Sequence, residues 1–312
     1  MAEMEQIFRF RIGGFTYGLP AARVDSSLRC ENVQLSPAAQ GPFGWMLSPR
    51  EVEIWQLHRL LGLDPGEAAG ALGLALEGTP RRALLIDEVL GPVVAGLAEQ
   101  VPAGSVSGPL GSPLVSSFVL DEGEPLPVLD LEALFAGRLP GQKAWKPGRQ
   151  WPRESAMGGR LPMVPASSDQ ALRAAISPAA DLILPMSQVR AVTSGAKPVP
   201  LPGSAEFVLG VAGLSGEVAL WIDWPALLGL PPAPPAGGVA RLVWMASNWG
   251  HLFVFQVAGE MGTAASDLEL ELVEKEGFPL PSVLLEAGYA EGRLVVVPDL
   301  DGLACLGPME ES

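Results

Sequence analysis

The chain contains itself twice. Leu60-Leu61-Gly62-Leu63-Asp64-Pro65 returns 167 residues later as Leu227-Leu228-Gly229-Leu230-Pro231-Pro232, and Leu47-Ser48 returns at the same spacing as Leu214-Ser215. Val128-Leu129-Asp130-Leu131-Glu132 has its counterpart 169 residues on, in Val297-Pro298-Asp299-Leu300-Asp301. Phe43-Gly44 is echoed by Val208-Leu209-Gly210 once a slip of one residue is allowed. Leu and Gly are common, so no single match carries weight. The shared order and the nearly constant spacing do, and they require a tandem duplication with units of about 140 residues. We place the units at 5–136 and 166–307, with 137–165 between them. A length of 312 residues agrees, since it gives each unit enough chain to bury its own core.

Composition narrows the class. Hydrophobic residues reach 48% against 18% charged, which excludes a disordered chain. The net charge of −15 argues against neutralising phosphates, so nucleic acid is not an expected partner. With 37 Gly and 31 Pro, short strands and many turns are favoured over long helices. Cys30 and Cys305 stand at opposite ends and form no disulfide framework, and with only His58 and His251 they make no persuasive zinc site. The acidic start Met-Ala-Glu-Met-Glu is unlike a secretory signal. The longest apolar stretch, 207–224, is interrupted by Glu217 and Asp223, so no membrane insertion is expected. A cytoplasmic protein is the expectation.

Between the units the charge reverses. Arg138, Lys143, Lys146, Arg149, Arg153 and Arg160 face a single acid, Glu154, and Trp145 and Trp151 lie among them. Set apart from this segment, the rest of the chain holds 14 Lys and Arg against 34 Asp and Glu. The segment reads either as a solvated linker or as a basic strip that docks on an acidic face of this protein or of a partner.

The units read as strands. Phe8, Phe10 and Ile12 alternate with Arg9 and Arg11, then Gly13-Gly14 turns the chain into Phe15–Leu19. Residues 71–76 and 82–89, and 241–245 and 251–257, repeat strand, turn, strand. Short helices are expected only near 21–27, 131–135, 186–192 and 300–306. The fold class is mostly β, built of small barrels.

Catalytic signatures are missing. The sequence has no G-x-S-x-G elbow, no G-x-G-x-x-G, and no lysine after the glycines of 66–73. Asp87, Asp130, Asp223 and Asp299 fall at strand ends, where carboxylates ordinarily accept from backbone N–H groups. His58 is expected on a solvent face and His251 at the surface. No enzyme chemistry and no cofactor are expected.

The order strand, turn, strand, short helix over 8–28, with Tyr17-Gly18-Leu19-Pro20 and Val24, resembles the opening of a CheW-like domain, the adaptor fold of bacterial chemotaxis. Gly210-Val211-Ala212-Gly213-Leu214-Ser215-Gly216, running on to Ile222-Asp223 and Gly229-Leu230, is similar to that family's G-V-x-N-L-R-G segment. Pro42-Phe43-Gly44-Trp45-Met46-Leu47-Ser48-Pro49, on to Leu57 and Gly62-Leu63, fits with one residue deleted, and Ala83 to Val89 resembles the family strand ending in Asp-x-Val. The family's arginine is serine in both units, Ser48 and Ser215, and Gln256 is read as standing where the first unit has Asp87. A serine cannot make an arginine's bidentate charged contact, so either the partners differ or one unit is structural.

The resemblance implies two tandem domains, each of two five-stranded Src-homology-3-like barrels. It implies a non-catalytic adaptor that couples methyl-accepting chemoreceptors to a CheA-type histidine kinase, and that meets other CheW-like proteins at the inner face of the membrane. The partner-binding residues it points to are Val24, Leu28, Trp45, Leu47 and Ser48 in the first unit. In the second they are Val189, Val192, Leu214 and Ser215. The rival expectation is a structural, self-assembling protein whose degenerate domains make no kinase contact.

Overall fold

The alternation from Phe8 to Ile12 becomes strand β1 (Met4–Ile12), which turns at Gly13-Gly14 into β2 (Phe15–Pro20) with Ile12 opposite Phe15. Phe10 and Ile12 are buried, while Arg9 and Arg11 pair at 2.5 Å with Asp121 and Glu88. In the computed structural model the described residues are 4–29, 46–47, 52–61, 63, 72–79, 81–96, 100–107, 110–136, 160–162, 171–231, 240–264, 269–274 and 277–306.

The first half continues with β3 (Val24–Arg29), β4 (Met46–Leu47), β5 (Glu53–Gln56), α1 (Leu57–Leu61), β6 (Leu72–Leu76), β7 (Arg82–Ile86) and β8 (Glu88–Gly96). It ends with β9 (Gln100–Pro102), α2 (Ala103–Ser107), β10 (Val115–Asp121), β11 (Glu124–Leu129) and α3 (Leu131–Phe135). The second half holds β12 (Arg160–Pro162), β13 (Ala171–Ser177), β14 (Ala180–Pro185), β15 (Val189–Ser194), β16 (Val208–Leu214), β17 (Glu217–Ile222) and α4 (Trp224–Leu227). After it come β18 (Arg241–Ala246), β19 (Leu252–Val257), β20 (Met261–Ala264), β21 (Glu269–Leu272), β22 (Leu284–Ala290), β23 (Arg293–Pro298) and α5 (Leu300–Ala304).

Hydrogen bonding orders the first half into two rows, β8-β1-β2-β11-β10-β9 and β3-β6-β7-β5-β4. The second half gives β20-β13-β14-β23-β22-β21-β12 and β15-β18-β19-β17-β16. Replacing each strand by the one twelve places later converts the first pair of rows into the second, with β12 added at an edge. The two halves share one strand order.

The rows roll into barrels. β8 and β9 stand at opposite ends of one row with only three residues between them, a reach of at most about 14 Å. β20 and β21 close the corresponding row across four residues. Five strands per barrel were expected. These two rows count six and seven, with β8 and β9 as separate edge strands of one, β20 and β21 holding the same places in the other, and β12 added outside β21. In the last row, closure comes from Val199, which exchanges both backbone hydrogen bonds with Val211 at 2.8 and 2.9 Å. Each barrel wraps a small core of its own, such as Trp221, Leu242, Trp244 and Val254 in the last. A larger apolar layer runs between the barrels and through both halves, from Phe10, Tyr17 and Phe118 to Phe207, Trp224 and Phe253.

The repeated Leu-Leu-Gly-Leu motif turns out to end a helix. Leu230 N donates to Pro225 O at 2.7 Å while Gly229 adopts φ +71°, a Schellman stop that needs a residue without a Cβ penalty. Leu63 N donates to His58 O at 2.8 Å in the same way. All four singled-out aspartates do accept from backbone. Asp130, Asp223 and Asp299 cap α3, α4 and α5, and Asp87 Oδ2 accepts from Gly13 N at 2.7 Å. Burial pushes the Asp223 carboxyl up, and the hydrogen bond from Ala226 N partly offsets this.

Several local expectations need correction. Residues 21–27 and 186–192 are helical for three residues only, at 21–23 and 186–188. Beyond those turns the backbone of β3 and β15 bonds to β6 and β18 instead of to itself. Helices α1, α2 and α4 were missed because one turn of helix is too short to show a period. The apolar run 82–89 is two strands, β7 and β8, which break at Asp87 as the chain passes from one barrel to the other. The counterpart of Asp87 is Ala258 rather than Gln256, since Asp87 N bonds Arg11 O as Ala258 N bonds Ala175 O. His58 is buried, not solvent-facing, and its Nε2 lies 3.1 Å from Asp87 Oδ1. That is an ion-pair distance for a protonated ring, although the ring is not aligned for a hydrogen bond.

The halves dock on each other. Tyr17 Oη donates to Pro200 O at 3.1 Å, and Ser112 Oγ donates to Pro202 O. Helix α2 packs on β17, and β11 lies against β16. At Gly213 a Cβ would collide with the carbonyl oxygen of Gly123, so the backbones meet where the second half lacks a side chain.

Candidate partner-binding surface

Strand β15 ends its row and pairs along its length only with β18. Val189, Ala191 and Thr193 are half-buried, whereas Arg190, Val192 and Ser194 are exposed, so period two gives the strand an outward face. Thr193 Oγ1 accepts from Trp244 Nε1 at 2.7 Å, which ties the strand to a side chain of the barrel core. Val192 and Met186, just before the strand, are each 44% exposed. An exposed apolar side chain on a pinned edge strand, with a second just before the strand, can receive a partner's apolar side chains without refolding.

Leu214 and Ser215 lie at the other end of the row. Ser215 and Gly216, at φ +50° and +87°, form the two-residue turn between β16 and β17. Ser215 is exposed, and Leu214 is half-buried against the barrel core that Ala191 also borders. The structure therefore gathers Val189, Val192, Leu214 and Ser215 around one barrel. The first-half residues fall on the matching barrel, with Val24 and Leu28 on β3 and Leu47 on β4. Val24 is half-buried; Trp45 and Ser48 lie outside the described residues.

Sequence reasoning missed Trp249, which is 62% exposed in the turn between β18 and β19. Asn248 fixes that turn to α5, with its N and Nδ2 donating to Asp301 at 2.9 and 2.6 Å. A tryptophan in an otherwise polar turn was the available signal. Also missed was the charged cluster of β13, β14 and β23. Asp181 is buried between Arg173, whose Nε donates at 2.9 Å, and Arg293, which reaches both carboxylate oxygens. Burial alone would raise the Asp181 carboxyl, but the two guanidinium groups bring it below its ordinary value.

Among the described residues, no group of three or more His, Cys, Asp or Glu could hold a metal ion. Among them also, no helix is long and apolar enough to cross a membrane. The site is thus a surface of rolled barrels whose edge strand β15 carries an exposed apolar side chain.

Comparison with known proteins concerns the segment that holds this surface. Residues 177–305 match the family model described as CheW-like domain. Among solved structures, the scaffolding protein TtCheW from Thermoanaerobacter tengcongensis aligns with 43% of this chain and 93% of its own length, at 16% identity and a TM-score of 0.36. No curated protein sequence matches the chain. Over residues 177–305 the chain is thus similar to the CheW-like domain family.

Proposed function

We propose that the chain is a non-catalytic adaptor of chemotaxis-type signalling, in which CheW-like barrels couple methyl-accepting chemoreceptors to a CheA-type histidine kinase. On this reading the units are 5–136 and 166–307, joined by 137–165, and the protein works in the cytoplasm at the inner face of the membrane. The observation that carries it is the exposed Val192 on the outward face of β15, with exposed Met186 just before the strand, within the segment that matches the family. Val192 is the direct test because its side chain is not part of a core. Val192→Asp should weaken capture of the cognate kinase or receptor at least about tenfold, roughly one hot-spot side chain, with unchanged circular dichroism. Undiminished capture of both partners by the folded variant would refute this placement.

A second reading, self-assembly without kinase contact, draws on the docking of β11 against β16, in which one half already binds the other head to tail. Sedimentation of the purified protein alone separates the two readings. A mass that grows with concentration favours assembly, and a constant mass favours the adaptor.

A further inference from the structure

Strand β12 comes from the basic segment between the units, yet it adds to the outer edge of β21 in the second half. The register sets Arg160 opposite Glu271, Leu161 opposite Leu270 and Pro162 opposite Glu269. In register, a basic residue type thus stands opposite an acidic one, and a leucine opposite the fully buried Leu270. Val273 N donates to Ala287 O on the β22 side, so by period two the backbone of Glu271 also turns to β22 and that of Leu270 turns outward, to β12.

The corresponding edge in the first half is β9, which reads Gln100-Val101-Pro102 and ends its row without a further strand among the described residues. Among the described residues, of these two edges it is the one that alternates acidic and apolar residues, Glu269-Leu270-Glu271-Leu272, that carries an added strand. The added strand is short, three residues, and Pro162 has no N–H to give.

We infer that the outer edge of β21 is a strand-addition site for extended segments with a basic residue opposite Glu271 and an apolar one opposite Leu270. Residues 160–162 occupy it in cis, and a longer basic segment of a partner protein binds there by displacing them. Main-chain hydrogen bonds supply the attachment, and the alternation of acidic and apolar residues along β21 supplies the choice of sequence. This site is separate from β15, and its test does not involve the kinase or receptor.

The test is hydrogen exchange at the Leu270 amide in the full chain. Arg160→Glu should speed exchange there at least about tenfold, Glu271→Arg should do the same, and the two together should restore protection. Leu161→Pro, which removes the donor opposite Leu270, should also expose the amide. A synthetic peptide with the sequence of residues 156–166, added to the Leu161→Pro protein, should then restore protection in a saturable and salt-sensitive manner. Leu270 exchange unmoved by Arg160→Glu and Leu161→Pro would overturn the site. A peptide that leaves the exposed amide unprotected would overturn its use by a segment from outside.

Discussion

Asp181 is buried and held by two arginines, and its contribution to stability depends on pH. Its folded-state carboxyl titrates below the ordinary value, so its contribution is complete above about pH 4, the unfolded carboxylate's range. That contribution is lost as the pH falls through the depressed folded value. Asp181→Asn should lower stability at pH 7 by about 2–3 kcal/mol in urea titrations. It should also flatten the acid limb of the stability profile. The four backbone-bonded aspartates could be read from sequence because a cap is a local arrangement of a carboxylate and the N–H groups a few residues on. His58 could not. Its burial depends on Asp87 and the β1–β2 turn meeting beside α1, a tertiary arrangement that no window around residue 58 contains.

At the scale of elements, the two halves use the same stops. Gly229→Ala should cost about 1 kcal/mol or more, because an alanine resists the left-handed backbone that ends α4. Thermal melts of the variant check this. The two-residue turns behave similarly. Ser215, Glu122 and Glu291 all sit at positive φ with a glycine following, where asparagine is better tolerated. Ser215→Asn should raise stability by about 0.5 kcal/mol, measured as a higher urea midpoint with an unchanged slope. The hairpins and the end helices were legible because turn residues and alternation are local. The single-turn helices and the break of 82–89 into two strands were not, since a run of apolar residues looks the same whether it stays in one barrel or crosses to another.

Over the whole molecule, one apolar layer passes through both halves, so unfolding of one exposes the core of the other. Calorimetry should record a single cooperative transition for the chain. Gly213→Leu, which forces a side chain against the Gly123 carbonyl, should separate the transition into two while each half keeps its strands in far-ultraviolet circular dichroism. The strand order that the two halves share was foreshadowed by the spaced motifs. The docking was not, because Tyr17 with Pro200 and Ser112 with Pro202 are pairs without any shared local pattern.

The contact at Gly213 also has a consequence for inheritance. Because β11 of one copy meets β16 of the other within a single chain, the ratio of the two faces is fixed at one to one by translation and cannot drift with expression level. A substitution at Gly123 acts on that contact and on its own β10–β11 turn, and leaves the second copy's corresponding turn at Glu291-Gly292 untouched. Two separate identical subunits would have to alter both faces at once. Fusion thus lets one copy specialise as a mate while the other keeps its own turn free to acquire a new acquaintance.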